Sequence, residues 1–242
     1  MKGATKLISI LSGLVLWHIV ATPVVNDRSL LASPLAVIAK GYEMMFVTAE
    51  LYPHLVASSW IFLYGMLIAA LVGVPLGFLM ALSPVTRDYV NPWMTVLYTT
   101  PRIAFAPVLL LWLGIDIASK IAIVFLGCVF PILINSFYGM RVVSREFVEV
   151  GRSFRLSGVA LFVKILLPAS VPFILAGLRL AVGRGLTGVA MCYLIFFAGQ
   201  TFNIPILFVG VAVFALLGIF GFQILKIIEN LATPWRKEFE TK

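Results

Sequence analysis

Long apolar runs alternate with short polar ones along this chain, and the run lengths suggest its architecture. Six runs approach the roughly 20 residues a helix needs to cross a hydrocarbon core of about 30 Å: 7–25, 55–81, 92–113, 119–140, 171–198 and 205–231. Pro101, Pro107 and Pro131 stand where they can kink or split the third and fourth. Residues 26–54 are too polar to span. Pro34, Gly41 and Pro53 punctuate them, and one short amphipathic helix is expected near 35–51. Residues 141–170 break into two short amphipathic pieces. The pattern predicts an all-α membrane protein of about six transmembrane helices, one domain over 1–242, with two short helices between the fourth and fifth spans.

Composition agrees. Of 242 residues, 62% are hydrophobic and 12% charged, with a mean hydropathy of +1.08, whereas soluble domains carry about 25% charged residues. Water could not solvate so apolar a surface, which excludes a cytosolic enzyme, a secreted domain and a disordered chain. Lys2 and Lys6 precede the first run as they would in a signal peptide. It lacks a small-x-small cleavage site and is read as a retained helix. The net charge of +8 raises nucleic acid as a partner. The basic residues, however, flank apolar runs rather than cluster, so the lipid bilayer explains them better.

Orientation follows from those flanks. With the N-terminus inside, twelve Lys and Arg face the cytoplasm and only Arg28, Lys40 and Lys120 lie outside. Both termini are then cytoplasmic, 26–54 is extracytoplasmic and 141–170 is a cytoplasmic loop.

The ten acidic residues all lie in loops or near segment ends, so the mid-membrane carboxylate of proton- or sodium-coupled carriers is missing. His18 and His54 read as satisfied or interfacial. Cys128 and Cys192 lie in apolar runs without metal-ligand spacing. No phosphate-binding GxxxxGK[ST] loop, HExxH or nucleophile elbow occurs. No catalytic residue, metal site or cofactor of its own is therefore assigned, and energy for uphill transport has to enter through a partner.

In the loop, Phe147, Val150 and Phe154 recur at helical spacing opposite Glu146, Glu149 and Arg152. A second piece, 159–167, carries Leu161, Phe162 and Ile165 ahead of Pro168. Ser157 is an N-cap candidate and Gly158 a turn residue. Such pieces suit a partner's groove or the lipid interface, and the pattern alone leaves both open.

Pathway candidates come from polar groups inside the runs. Tyr98, Thr99, Thr100 and Arg102 surround Pro101, where hydroxyls can bond backbone or solute. Arg184 lies about 20 Å from Val171 along a helix, deep enough to face the bundle interior, pairing with helix-end carbonyls or lining a pathway. Arg179 is shallower and can reach the cytoplasmic surface. Tyr193 and Phe197 are one turn apart and could stack a planar solute, although aromatics at this density also serve packing. Gly177, Ala181, Gly185 and Gly188 form a small-residue face for close helix packing.

The loop resembles that of the permease subunits of bacterial ABC importers: EAA, three residues, Gly, nine residues, then I-x-LP. Glu149, Val150 and Gly151 stand for EAA, Ile165 for the Ile, and Leu167 with Pro168 for LP. The likeness continues through PASVPFILAGLRLAVGRGLTG at 168–188. TPRIAFAPVLLLWLGIDIASK at 100–120, FPILINSFYGMR at 130–141 and ENLATPWRKE at 229–238 are similar to the branch importing nitrate, sulfonates and taurine. Two departures stand out: Arg155 replaces the motif's Gly, and Tyr193 falls where many relatives carry an acid.

The resemblance implies a multi-pass protein of the bacterial inner membrane, non-catalytic itself. Glu149, Val150, Gly151, Phe154, Arg155, Ser157, Gly158, Leu167 and Pro168 would couple it to ABC ATPase subunits that bind ATP and Mg. A second permease, identical or different, would complete the pathway, with the small-residue face near their contact. A periplasmic or lipid-anchored solute-binding protein would deliver a small anionic or planar organic solute. If Arg102 and Arg184 both face the pathway, the solute is anionic. The competing readings are a stand-alone channel or secondary carrier, and a non-transporting membrane scaffold. The missing membrane carboxylates, the docking-type loop and the lack of inverted-repeat likeness between halves weigh against the carrier.

Overall fold

A computed structural model describes residues 2–24, 31–143, 145–189 and 193–233. The described elements are all helical, with no strand among the described residues. They comprise α1 (Lys2–Ile19), α2 (Pro34–Tyr42), α3 (Leu51–Leu82), α4 (Pro84–Thr99), α5 (Ala106–Leu113), α6 (Ile117–Val142), α7 (Arg145–Ser153), α8 (Gly158–Leu161), α9 (Leu167–Val189), α10 (Tyr193–Gln200) and α11 (Ile204–Ala232). Four helical stretches among the described residues are long and apolar enough to cross a membrane: Leu51–Leu82, Ile117–Val142, Gly158–Thr187 and Ile204–Ala232. The chain is an all-α membrane protein.

The other two expected spans differ from a single long helix. The first apolar stretch, Leu7–Thr22, is shorter than the four and ends in a wide π turn at Val20–Val24. The third run is broken. Thr100 is extended (φ −69°, ψ 130°) because the ring of Pro101 disfavours helical backbone at the residue before it. A 3₁₀ turn at Arg102–Phe105 follows, then the eight residues of α5. Pro131, by contrast, sits inside an unbroken α6, where the Asn135 side-chain amide donates to the Pro131 carbonyl at 2.8 Å. Pro53 falls in the first turn of α3, where a missing N–H costs nothing, so it begins a helix instead of breaking one. Gly41 lies inside α2 facing Val209 and likewise breaks nothing.

Two compact units form. One comprises Met1–Ser59 with Ala190–Leu217. In it Val37 and Met44, along α2 and the π turn after it, pack with Ala32, Leu51 and Val209. Ser33 caps α2, its Oγ accepting from the Ala36 N–H, and Trp17 donates to the Ala32 carbonyl at 3.1 Å.

The second unit comprises Trp60–Val189 with Gly218–Lys242, and α6 is its axis. Fourteen of the 26 residues of α6 are buried, which makes it the helix that neighbours wrap rather than one that faces lipid. Glycines let those neighbours close in. A methyl at Gly77 of α3 would meet the Leu133 carbonyl oxygen at 2.6 Å, and one at Gly73 the Val129 oxygen at 3.0 Å. From α9, Gly177 lies against Pro131 and Ile132, and Gly185 against Cys128 and Phe62. The buried Cys128 thiol donates to the Ala181 carbonyl at 3.4 Å. The small residues Gly177, Ala181 and Gly185 of α9 are thus used within the chain, against α6. Their glycine-backbone approaches are of the kind that drives helix association where apolar burial gives no gain.

Candidate functional site

Two features of the second unit bring candidate residues together. The first is the 141–170 loop. Helix α7 ends in a tight turn: the Arg155 N–H donates to the Arg152 carbonyl at 2.8 Å and the Leu156 N–H to the Gly151 carbonyl at 3.0 Å. Arg155 adopts a left-handed backbone, φ +56°. That bond pair with a left-handed residue just past the helix is the Schellman C-cap, a position that favours Gly. The motif's Gly is therefore explained by backbone geometry, and Arg155 keeps the geometry at the expense of its own Cβ. Arg155→Gly is expected to stabilise the turn by about 1 kcal/mol, read as slower hydrogen exchange at the Leu156 amide with the rest of the chain unchanged.

Gly151 packs tightly: a methyl there would lie 2.3 Å from Ile165 Cδ1 and 2.8 Å from Leu161 Cδ1. Ser157 holds the N-cap position of α8, but its side chain makes no capping bond, and Gly158 is left-handed at φ +53°. The second piece does not stop at Pro168. It runs through a π turn, Phe162–Leu166, directly into α9. There the Leu167 N–H reaches back five residues to the Phe162 carbonyl. The widened turn accommodates Pro168, which has no N–H to continue an α-helical ladder.

The apolar residues of the two pieces point different ways. Leu161 and Ile165 receive Gly151, and Phe162 meets Phe78 of α3 edge-on at 5.6 Å. On α7 and the turn that ends it, Phe147, Val150 and Phe154 are exposed, Phe154 at 77%, and Glu149 is exposed beside them. One piece anchors the loop and the other presents a face.

The second feature joins two residues far apart in sequence. The Arg184 guanidinium, on α9, lies over the Tyr98 ring at 4.8 Å from its centroid, and Tyr98 meets Phe130 edge-on at 6.2 Å. Phe130 is thirteen residues from one end of α6 and twelve from the other, so the stack lies level with the middle of a membrane-crossing helix. An arginine there facing lipid costs about 2.5–3.5 kcal/mol on insertion scales, and a desolvated cation–π contact returns about 2 kcal/mol. Arg184 is half-buried and Tyr98 partly exposed.

The neighbouring candidates are placed differently. Thr99 and Thr100 donate their hydroxyls to backbone carbonyls of α4, Thr100 Oγ1 to the Val96 carbonyl at 2.7 Å. The side chains of Arg102 and Tyr193 lie outside the described residues, as does Cys192. Phe197 belongs to the other unit and lines a cavity of about 260 Å³ with Met44, Glu50, His54 and Asn203. Arg179 pairs with Glu229 of α11, a partner that reading Arg179 as a surface-seeking residue missed. One acid near the end of the last apolar run was the available signal. Phe130, the ring beneath Tyr98, carried no signal beyond being apolar.

Comparison with known proteins adds a separate line. The family described as "Binding-protein-dependent transport system inner membrane component" matches residues 73–234. An Escherichia coli (strain K12) permease protein named for aliphatic sulfonates transport is 30% identical over 93% of this chain and 89% of its own length. The formylaminopyrimidine transport permease protein of Halalkalibacterium halodurans is 29% identical over 93% of each. The taurine transport system permease protein of E. coli K12 is 26% identical over 94% of this chain and 88% of its own.

Proposed function

Because the chain belongs to the binding-protein-dependent transport system inner membrane component family and is the permease subunit of an ATP-driven importer, we propose that its 141–170 loop seats α7 in a cleft of a separate ATPase. The observation carrying this is the exposed stripe Phe147, Val150 and Phe154 on a loop packed through the Gly151 and Phe162 contacts. Three apolar side chains exposed along one short helix and the turn that ends it match helix-in-groove docking, where anchors recur at such intervals. Because α8 continues into α9, a shift of the loop would act directly on a membrane-crossing helix.

The rest of the proposal follows from the same reading. The ATPase binds ATP and Mg, and this chain contributes no catalytic group. Six spans are counted by adding α1 and the broken α4–α5 stretch to the four long helices. Both termini and the loop are cytoplasmic, which the excess of Lys and Arg on that side supports. A second permease completes the pathway, and a solute-binding protein delivers to the outer face. The solute is a small anionic or planar organic compound. The relatives' names include sulfonate and pyrimidine compounds, and Arg184 over Tyr98 supports the anionic class.

The test is uptake into proteoliposomes holding this chain with its ATPase and binding protein. Uptake is expected only with ATP inside the ATPase-accessible compartment. Downhill uptake by this chain alone, without nucleotide, would overturn the reading in favour of a self-contained carrier.

A further inference from the structure

We infer that a cavity of the unit formed by Met1–Ser59 and Ala190–Leu217 is a socket for a lysine or arginine side chain of the solute-binding protein, with Glu50 as its charge partner and Phe202 as the apolar contact beside it. The inference rests on the permease reading and on the topology that puts residues 26–54 and the turn between α10 and α11 outside. It deepens that reading by assigning where the delivering protein docks.

Two turns supply the polar rim. One precedes α3 and carries Glu50; the other joins α10 to α11 and carries Thr201 and Asn203. They enclose about 260 Å³ over an apolar floor that includes the buried Met44 and Ala198. At roughly 30 Å³ per water molecule, that space admits the end of one long side chain. Glu50 is exposed and is the one carboxylate among the described lining residues, with no lysine or arginine among them. It makes no ion pair among the described residues. A carboxylate above apolar walls suits a lysine or arginine, whose stem packs on the walls while its head meets the carboxylate oxygens. An anionic solute does not suit it, because Glu50 repels one. The charge therefore selects a cation carried by a partner.

Backbone geometry singles out the same place. Among the described residues, three that are not glycine adopt a left-handed backbone: Ala49, Arg155 and Phe202. Arg155 belongs to the 141–170 loop, and the other two flank this cavity. Ala49 precedes Glu50, and Phe202 lies between Thr201 and Asn203. The Asn203 N–H donates to the Ala198 carbonyl at 2.9 Å and the Phe202 N–H to the Gly199 carbonyl at 3.3 Å. Phe202 thus occupies the C-cap position of α10 where glycine is unstrained and a Cβ is not. Strain of this kind is kept where the side chain serves a contact. The Phe202 side chain is 75% exposed on a turn it shares with the polar Gln200, Thr201 and Asn203. An aromatic ring standing on a polar turn beside a charged socket is the arrangement of a protein-docking anchor.

The test is binding of the purified solute-binding protein of the same transporter to the whole transporter in nanodiscs, at low and high salt. Glu50→Gln should raise the dissociation constant about tenfold and flatten its salt dependence, and Glu50→Lys should raise it further. Phe202→Gly removes the ring and relieves the turn. Its unfolding midpoint should hold or rise while binding weakens about tenfold, an opposition that separates docking from folding. Co-purification of the ATPase is read on every variant and should not change. A parent without an ATPase fails the permease reading and takes this inference with it. The inference by itself is overturned if Glu50→Lys or Phe202→Gly, with the ATPase in place, binds the solute-binding protein as the parent does, which would leave the cavity to lipid or water. It is equally overturned if the parent holds its ATPase and binds no solute-binding protein.

Discussion

Phe154→Asp is expected to detach the ATPase from this subunit, lowering its affinity by more than about tenfold, or 1.4 kcal/mol. Phe154 is 77% exposed in the chain by itself, so the carboxylate costs the isolated fold little. In a docked complex the same side chain would be a buried aromatic anchor, and truncating such residues commonly costs 2 kcal/mol or more. A charge placed there adds desolvation to the loss. The measurement is ATPase binding to the purified variant, with Val163→Asp as the comparison. Val163 is also exposed but belongs to the anchoring piece, and its substitution should weaken binding less. Equal binding by parent and Phe154→Asp would remove α7 from the interface.

The second large effect lies in the helix seam. Gly77→Val and Gly177→Val should each lower the unfolding midpoint sharply, with losses of about 1–3 kcal/mol from overpacking. At Gly77 the nearest atoms to an added Cβ are the Leu133 carbonyl at 2.6 Å, Ser136 Cβ at 2.9 Å and the Phe137 nitrogen at 3.0 Å. Two of those three are backbone, so no side-chain rotation relieves the clash and α3 has to move off α6. Gly177 meets Asn135 Cβ at 2.9 Å and the Pro131 carbonyl at 3.0 Å. Gly183→Val on the same helix as Gly177 enters open space and should leave the midpoint where it was. Denaturation in SDS–detergent mixtures, followed by far-UV circular dichroism, reads all three, and similar midpoints for Gly77→Val and Gly183→Val would contradict the seam.

These cases show which parts of the molecule a linear pattern reveals. Long apolar runs announce α3, α6 and α11 because hydropathy is local. The loop was legible for the same reason: Phe147, Val150 and Phe154 follow one helical face, and Ser157 and Gly158 mark the turn. The use of the small residues of α9 was not. Gly177, Ala181 and Gly185 advertise close packing without saying against what, and within the chain they meet α6. Pro101 and Pro168 look alike as punctuation yet act differently. Pro101 ends a helix through the extended Thr100, while Pro168 is absorbed by the π turn before it. The Tyr98–Arg184 stack was half legible. Both residues stood out as polar groups in apolar surroundings, but their meeting depends on how α4 and α9 lie against α6, a three-dimensional fact with no periodic trace.

The measurement that bears most directly on the whole account is purification of the tagged chain from native membranes in mild detergent, with every co-purifying subunit identified and counted. One nucleotide-binding subunit per permease is the predicted result. The chain emerging by itself, under conditions that keep other membrane complexes intact, would contradict it and return the protein to the class of self-contained channels or carriers.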